Sequence, residues 1–515
     1  MYIAVTPLIH SIRGKDTFTY TQPTDLATVV VGQLVWVPWR NSIKLGLVQA
    51  TTSVAALAKA KPITAISSII LPPDYRAYIE WFAKFYAISL SHAYLAALPN
   101  FTQRTLKSSE ATFELFAPQN PDCLNTTKLV QTDTQIIDFL RQTIDTTKGP
   151  VVVLVPEIAR LQQLAKQLKL PESHCISSHS SPAAQRETFF TLLAKRAGCY
   201  LGTKRLSLFP INNAEKIIVI EPEDFSHKQW GLNPRYHVYR LTEYLGQHGT
   251  AITYLSYCPR VEQYNAHTID PSWLQPDQIK HQVRFIDMQG QQHLSLQAQN
   301  RLAEAKTAVV WHQHKGRADL LICQNCSSIV QNRQAVVCQV CQSPRLHIRG
   351  FGTTDLVKEL HELFPQRKII EITKDQAAPV IDYDDHPIIV GTSALKNSLD
   401  WTKIDYCLIA AVDYLLSLPH FRAHEIVLQQ LTWLKYHNSE MDIQTYVPSH
   451  PVFQALSQTW PEHWFRQTLS ERQQLRFPPA GDRIELRQVK TGQRKNIRTL
   501  ADFPDDPHWI IDRES

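Results

Sequence analysis

Val151-Val-Val-Leu-Val155, then Pro156 and Glu157-Ile-Ala-Arg-Leu-Gln-Gln-Leu-Ala-Lys-Gln-Leu168, is the stretch that decides the fold. Five aliphatic residues in unbroken succession suit a strand covered on both faces, as in a parallel sheet. The stretch after them mixes apolar and polar residues as an amphipathic helix does. The same strand signature returns at Ile217–Ile220, Ile369–Ile372, Ile388–Val390 and Cys407–Val412, with helices expected at Thr354–Leu363 and Arg422–Tyr436. Strands alternating with helices imply a doubly wound α/β architecture, here in two lobes.

Upstream the pattern changes. Thr28 to Val37 and Lys44 to Gln49 read as short strands, separated by Gly32 and the Pro38-Trp39-Arg40-Asn41 turn, so a small β-domain is expected. Between Pro72 and Leu98 the residues Tyr75, Tyr78, Ile79, Phe82, Phe85, Tyr86 and Leu90 recur at three- and four-residue steps, which predicts helix up to Pro99. The expected divisions are an N-terminal domain at 1–100, a linker at 101–125, a first lobe at 126–300, a second lobe at 301–450 and a shortened C-terminal region at 451–515.

With 515 residues the chain is long enough for several domains. The 53 basic and 47 acidic residues leave a formal charge of +6, which permits a nucleic-acid partner without requiring one. No long apolar leader or membrane-length run is present, so a cytoplasmic protein without a membrane partner is expected.

Cys323-Gln-Asn-Cys326 and Cys338-Gln-Val-Cys341 are two CxxC pairs in a polar surround. Each knuckle presents two thiolates, and two knuckles close a tetrahedral Cys₄ site, so one structural zinc in a ribbon at 319–347 is expected.

These features resemble the primosomal protein N′ family, the PriA replication-restart helicases. The likeness runs through Val153-Leu-Val-Pro-Glu-Ile-Ala159, Ser178-His179-Ser180, Gln185-Arg186, Gly202-Thr203, Lys228-Gln229-Trp230 with Pro234-Arg235-Tyr236-His237, Gly350-Phe-Gly-Thr353, Gly391-Thr392, Leu418-Pro-His-Phe-Arg422-Ala with Glu425, and Pro478-Pro479. The resemblance implies two RecA-like helicase lobes, the second carrying the zinc ribbon, and DNA as partner.

The departures from the family pattern bear on ATP. Where the family has its phosphate loop the chain reads Lys128-Leu-Val-Gln-Thr-Asp-Thr-Gln-Ile-Ile-Asp138, without glycine and without the phosphate lysine. Where it has Asp-Glu-Glu-His the chain has Glu221-Pro222-Glu223-Asp224, leaving Glu221 and Glu223 as remnants of a magnesium site. Where its arginine motif belongs the chain reads Trp433-Leu-Lys-Tyr-His437-Asn-Ser-Glu440. Three parts of one phosphoryl-transfer apparatus are missing together, so neither ATP nor magnesium is expected as a cofactor.

The resemblance also places DNA contacts. Asp16-Thr-Phe18-Thr-Tyr20 and the neighbouring Trp39 and Arg40 correspond to a loop that receives a 3′ end: aromatic faces stack a base, a carboxylate accepts the 3′-hydroxyl, and Arg13, Lys15 and Arg40 offset phosphate charge. Trp230, Arg235, Tyr236 and His237 correspond to an aromatic loop that touches single strands. The expected protein is a pseudo-helicase of replication restart that binds forks or 3′-ended junctions and works with other restart proteins and single-stranded DNA-binding protein. Two alternatives are an active 3′-5′ helicase with a divergent nucleotide site and a zinc-containing scaffold without DNA affinity.

Overall fold

The structure is a computed structural model that describes the chain except for residues 10–15, 53–59, 104–124, 232, 276–281, 290, 292, 313–319, 324, 327–328, 331–335, 350–351, 374–378, 489–490, 492, 498–508 and 515. Arg13, Lys15, Gly350 and most of the expected linker lie outside the described residues.

The first domain is built on β1 (Tyr2–Pro7), β2 (Phe18–Thr21), β3 (Gln33–Trp39), β4 (Ser42–Thr52) and β5 (Ala65–Ile70), antiparallel in the order β2-β1-β4-β3-β5. The stretch leading into β5 returns to the opposite edge, where the Thr21 N–H donates to the Lys61 carbonyl and the Ile63 N–H to the Thr21 carbonyl. One face of this sheet buries Ile3, Val5, Val35, Val37 and Val48 among themselves, the alternation expected of period-two strands. The other turns Leu34, Trp36 and Leu47 toward helices α1 (Pro73–Phe85) and α2 (Leu90–Ala97). The single helix expected over 72–98 is therefore two. The chain turns at Ala87, whose φ is +48°, and Ser89 starts α2 by accepting the His92 N–H on its hydroxyl.

The first lobe is a parallel sheet in the order β12-β6-β11-β10-β7-β9-β8, with β6 Thr126–Leu129, β7 Pro150–Leu154, β8 Cys175–Ile176, β9 Gly198–Gly202, β10 Lys216–Ile220, β11 Ile252–Ser256 and β12 Thr268–Asp270. Its crossovers include α3 (Asp133–Thr146), α4 (Ile158–Leu168), α5 (Pro182–Leu193) and α6 (Val238–Gln247). The apolar run that opened the reading is β7, and every residue of it is buried.

The second lobe repeats the plan: β13 (Gln282–Asp287), β14 (Ala308–His312), β18 (Ile369–Ile372), β19 (Ile388–Gly391), β20 (Tyr406–Ala411) and β21 (Glu440–Thr445) lie parallel in the order β13-β21-β20-β14-β19-β18. A separate antiparallel sheet of β15 (Leu320–Cys323), β16 (Ile329–Val330) and β17 (Leu346–Arg349) carries the cysteine quartet. The fold is thus α/β, a small β-domain and two doubly wound lobes with parallel sheets.

The unit boundaries differ from those expected. Residues 273–300 were assigned to the first lobe, but β13 pairs with β21, so the second unit runs Trp273–Thr468. The first unit is Met1–Ser272 with Leu469–Ser515. Its C-terminal part forms β22 (Arg483–Gln488), β23 (Arg494–Ile497) and β24 (Trp509–Glu514), whose Ile484, Leu486 and Ile511 join the core that also holds Tyr236 and Val238. A sequence with one uninterrupted C-terminal region gives no sign that its two parts pack on different bodies.

Candidate nucleic-acid interface and the crevice of the first lobe

The β3–β4 hairpin is short. Trp39 pairs with Ser42, leaving Arg40 and Asn41 as its loop. Arg40 sits at φ +51°, a conformation that costs an L side chain about 1–2 kcal/mol and that glycine adopts freely. Beside this turn a cavity of about 380 Å³ is lined by Leu8, Ile9, Trp39, Arg40, Ser42, Lys44 and Leu95. Trp39 is held by an edge-on contact with Phe18, ring centres 4.7 Å apart. The end of β1 is pinned above α2, because the Ser91 hydroxyl bonds to the Ile9 carbonyl at 2.7 Å and accepts the Ile9 N–H at 3.0 Å.

The structure brings Trp39 and Arg40 together as expected candidates, with Phe18 behind them. It adds Ser42 and Lys44, which the sequence reading missed; the alternation along β4 is the signal that could have found Lys44, two residues from Ser42. It separates two others. Tyr20 is buried in the domain core, its hydroxyl donating to the Pro38 carbonyl, and burial pushes its pKa up. The Asp16 carboxylate accepts the Leu90 N–H at 2.9 Å at the start of α2, and Asp16 is not among the residues lining the cavity.

The second group divides as well. Trp230 is half exposed, with the Lys228 ammonium 4.5 Å from its ring centre and Phe225 exposed nearby. Tyr236 is buried edge-on to Phe82 and hydrogen-bonded to the Lys204 carbonyl, and burial pushes its pKa up to about 12, so it is a core residue. Arg235 is paired with Asp512 of β24, which also holds Lys228 at 2.6 Å. His237 starts α6, its Nδ1 accepting the Tyr239 N–H, and its Nε2 lies 3.1 Å from Arg260. Of these four, Trp230 is the one whose ring faces solvent broadly.

In open parallel sheets ligands sit beyond the carboxyl ends of the strands. In the first lobe that crevice is furnished with the protein's own charges. Only Val130, Gln131 and Thr132 separate β6 from α3. The helix start is closed by a capping box: the Thr132 hydroxyl accepts the Gln135 N–H, and Gln135 accepts the N–H groups of Gln131 and Thr132. These are the amides a phosphate loop would turn on a nucleotide. Asp133, the first residue of the helix, takes a two-pronged bond from Arg160 at 2.8 and 2.6 Å and the Tyr257 hydroxyl at 2.8 Å. Arg160 also faces Glu221 at 3.4 Å. Burial disfavours the Arg160 charge, yet Glu221 and Asp133 outweigh it and hold the guanidinium more firmly protonated than usual. Glu223 accepts the Ser256 hydroxyl at 2.8 Å and the Tyr257 N–H at 3.2 Å. Glu221 and Glu223 are thus built into a network of ion pairs and hydrogen bonds among six side chains from four segments.

On the second lobe the sulfurs of Cys323, Cys326, Cys338 and Cys341 all lie within 4.8 Å of one another. Cys323–Cys341 and Cys326–Cys338 are 3.5 and 3.6 Å apart, near the edge of about 3.8 Å that a tetrahedron of Zn–S bonds of about 2.3 Å requires. The Asn325 and Val340 N–H groups point at the sulfurs of Cys323 and Cys338, as knuckle amides do toward thiolates. This donor set could hold one metal ion. Among the described residues no helix is long and apolar enough to cross a membrane.

The chain thus joins a small β-domain to α/β lobes, with a four-cysteine module that could hold a metal ion. The family model described as the 3′DNA-binding domain (3′BD) of PriA matches residues 8–99, the small β-domain after its first strand together with its two helices. Replication restart protein PriA of Synechocystis sp. is 25% identical over 418 residues, 68% of this chain and 50% of that protein. The protein of the same name in Bacillus subtilis is 20% identical over 388 residues, 64% of this chain and 48% of its own, and that of Haemophilus influenzae is 23% identical over 389 residues, 64% and 53%. A DEAD box protein from Methanococcus jannaschii superposes with a TM-score of 0.33 and 11% identity over 67% of this chain and 86% of its own, too low to add to the fold read from the sheets. Residues 8–99 thus resemble the 3′DNA-binding domain of PriA, and proteins of that name from several bacteria resemble about two thirds of the chain. The chain spans about half the length of the curated relatives it matches.

Proposed function

We propose that this chain is a DNA-binding replication-restart protein that engages a DNA 3′ end through its first domain and does not hydrolyse ATP. The observation that carries the DNA half is the cavity beside the β3–β4 hairpin, where a tryptophan face, two cations and a hydroxyl meet within the segment that matches the 3′DNA-binding domain. Trp39 offers a stacking surface for a terminal base, and Arg40 and Lys44 neutralise the phosphates that follow it. The ATP half is supported by the crevice of the first lobe. Its helix start is capped by Thr132 and Gln135, and Asp133, Glu221 and Glu223 would repel a triphosphate. Cys323, Cys326, Cys338 and Cys341 hold one zinc, which supplies folding free energy to the ribbon and takes no part in a reaction. Other restart proteins and single-stranded DNA-binding protein are the proposed partners.

The test is fluorescence anisotropy of the whole chain with labelled fork DNA in the absence of nucleotide, alongside an ATPase assay. The wild type binds without ATP. Arg40→Gly, which keeps the turn and relieves its backbone, binds more weakly with a log–log salt slope smaller by about 0.7–0.9, the share of one phosphate contact. DNA-stimulated hydrolysis would favour the active-helicase alternative, and absence of DNA binding would favour the scaffold.

A further inference from the structure

We propose that Asp512, on the last strand β24, is a positioning residue: it clamps both ends of the loop at 228–235 and so holds the Trp230 ring ready for an unpaired DNA base. The inference rests on the DNA binding proposed above and adds a second point of contact to it. Trp230 is 46% exposed, yet it is held at one edge and over one face. Its Nε1–H donates to the Phe225 carbonyl at 3.2 Å, and the Lys228 ammonium stands 4.5 Å from the ring centre. With the indole N–H satisfied by its own chain, what the ring offers a partner is its apolar surface, on which any base can stack. Phe225, equally exposed, lies tilted beside it with ring centres 6.4 Å apart.

The loop that carries the ring is closed by Asp512. One carboxylate oxygen faces the Lys228 ammonium at 2.6 Å and the other the Arg235 guanidinium at 3.3 Å, so a single side chain ties residues on both sides of Trp230. The backbone closes at the same place, where the Gln229 N–H donates to the Tyr236 carbonyl at 2.8 Å and Lys228 bridges to His237. All three charged side chains are largely buried, Lys228 at 7%, Asp512 at 14% and Arg235 at 16% exposed, so the carboxylate takes the place of the water that the two cations have lost. A loose loop has to be ordered when DNA arrives, at the expense of affinity, whereas this one is ordered on folding. The sign of the charge separates positioning from electrostatics. An acid this close to a DNA-contacting ring repels phosphate, so by charge alone Asp512 works against binding, and holding the loop is the role in which it favours binding.

The experiment measures anisotropy of a labelled duplex carrying a single-stranded tail of about ten deoxythymidines, with the whole chain and no nucleotide. It compares the wild type with Asp512→Asn, Asp512→Glu, Trp230→Ala and the double variant Trp230→Ala with Asp512→Asn. Trp230→Ala should lose about tenfold in affinity, the share of one stacked base, and Asp512→Asn roughly three- to tenfold, with Asp512→Glu closer to the wild type. The double variant should bind no more weakly than Trp230→Ala alone, because Asp512 acts through that ring. Without DNA, hydrogen exchange in peptides covering Gln229 should quicken in Asp512→Asn while those of β7 and β10 stay protected. Should Asp512→Asn leave the first unit unfolded at the assay temperature, Arg235→Gln releases one arm from the loop side and is read through the same cycle with Trp230→Ala. Asp512→Asn binding as tightly as the wild type or tighter, losses that add in the double variant, or a Trp230→Ala variant that binds like the wild type each overturn the proposal and leave DNA binding standing. If the wild type does not bind the tailed duplex, the DNA-binding reading falls and this proposal with it.

Discussion

Arg160→Met tests whether the crevice of the first lobe has become a structural core. Arg160 is 6% exposed and serves two carboxylates, Asp133 through two short bonds and Glu221 at 3.4 Å. Glu221 is 3% exposed, so removing the guanidinium leaves a carboxylate that water cannot reach. Breaking a buried pair from one side costs about 3–5 kcal/mol. Asp133 is 32% exposed and regains solvation, which places the expected loss near the low end, about 3 kcal/mol. At about 2 °C per kcal/mol for a body of this size, the first unit should melt roughly 6 °C lower. Neutralising the stranded acid in the same background, Arg160→Met with Glu221→Gln, should recover much of that loss, because an uncharged filling replaces a buried pair at little cost. Urea unfolding of both variants, with and without millimolar Mg-ATP, gives the readout. A live nucleotide site at a hundred times its Kd would add about 2.7 kcal/mol, whereas a filled crevice adds nothing. The reasoning is refuted if the single variant loses less than about 0.5 kcal/mol, if the double variant is no better than the single, or if ATP raises the wild-type midpoint.

Elemental analysis of protein purified without chelator should give about one zinc per chain, and Cys338→Ser should lose it and loosen the ribbon, since Cys338 is buried at the centre of the quartet. The second unit should weaken as pH falls from about 6.5 toward 4. Burial, and then the His424 ring 4.8 Å away, lower the pKa of His450 to about 4, so the unfolded chain takes up a proton that the folded one refuses. His450 Nδ1 accepts the Val452 N–H at the start of the helix Pro451–Leu456, so His450→Asn should keep that cap and flatten the dependence, which melting at pH 7, 5.5 and 4.5 would show. An unchanged pH profile in the variant would mean that other groups set it.

The lobes were legible because a parallel sheet covered on both faces writes unbroken aliphatic runs, as at Val151–Val155, and the quartet because two knuckles need a fixed spacing. Which aromatics face outward was not. Tyr20 and Tyr236 sit in short polar stretches that look exposed, but tertiary packing buries them. The pairing of Arg235 with Asp512 spans 277 residues, and no local pattern announces it. The expected boundary at 300 failed for the same reason: β13 reads like any short strand, and its partner β21 becomes its neighbour only through the closing of the second sheet. Ser42 and Lys44 were missed because a hairpin's register, not its composition, determines which side chains share a cavity.

The contacts between the first lobe and the first domain bear on the DNA binding proposed above. The Tyr75 and Tyr78 hydroxyls of α1 are fully buried and donate to the carbonyls of Leu208 and Ser207, each at 2.8 Å. Arg205 reaches the Leu98 carbonyl at the end of α2, and the Tyr86 hydroxyl accepts the His237 N–H. Separating the domain from the lobe would leave these buried groups unpaired at about 1–3 kcal/mol each, besides exposing Phe82 and Tyr86. The domain and lobe therefore behave as one body. The hairpin pocket and the tyrosine face of α1 thus belong to one packed unit, and a fragment ending near residue 100 should expose that face.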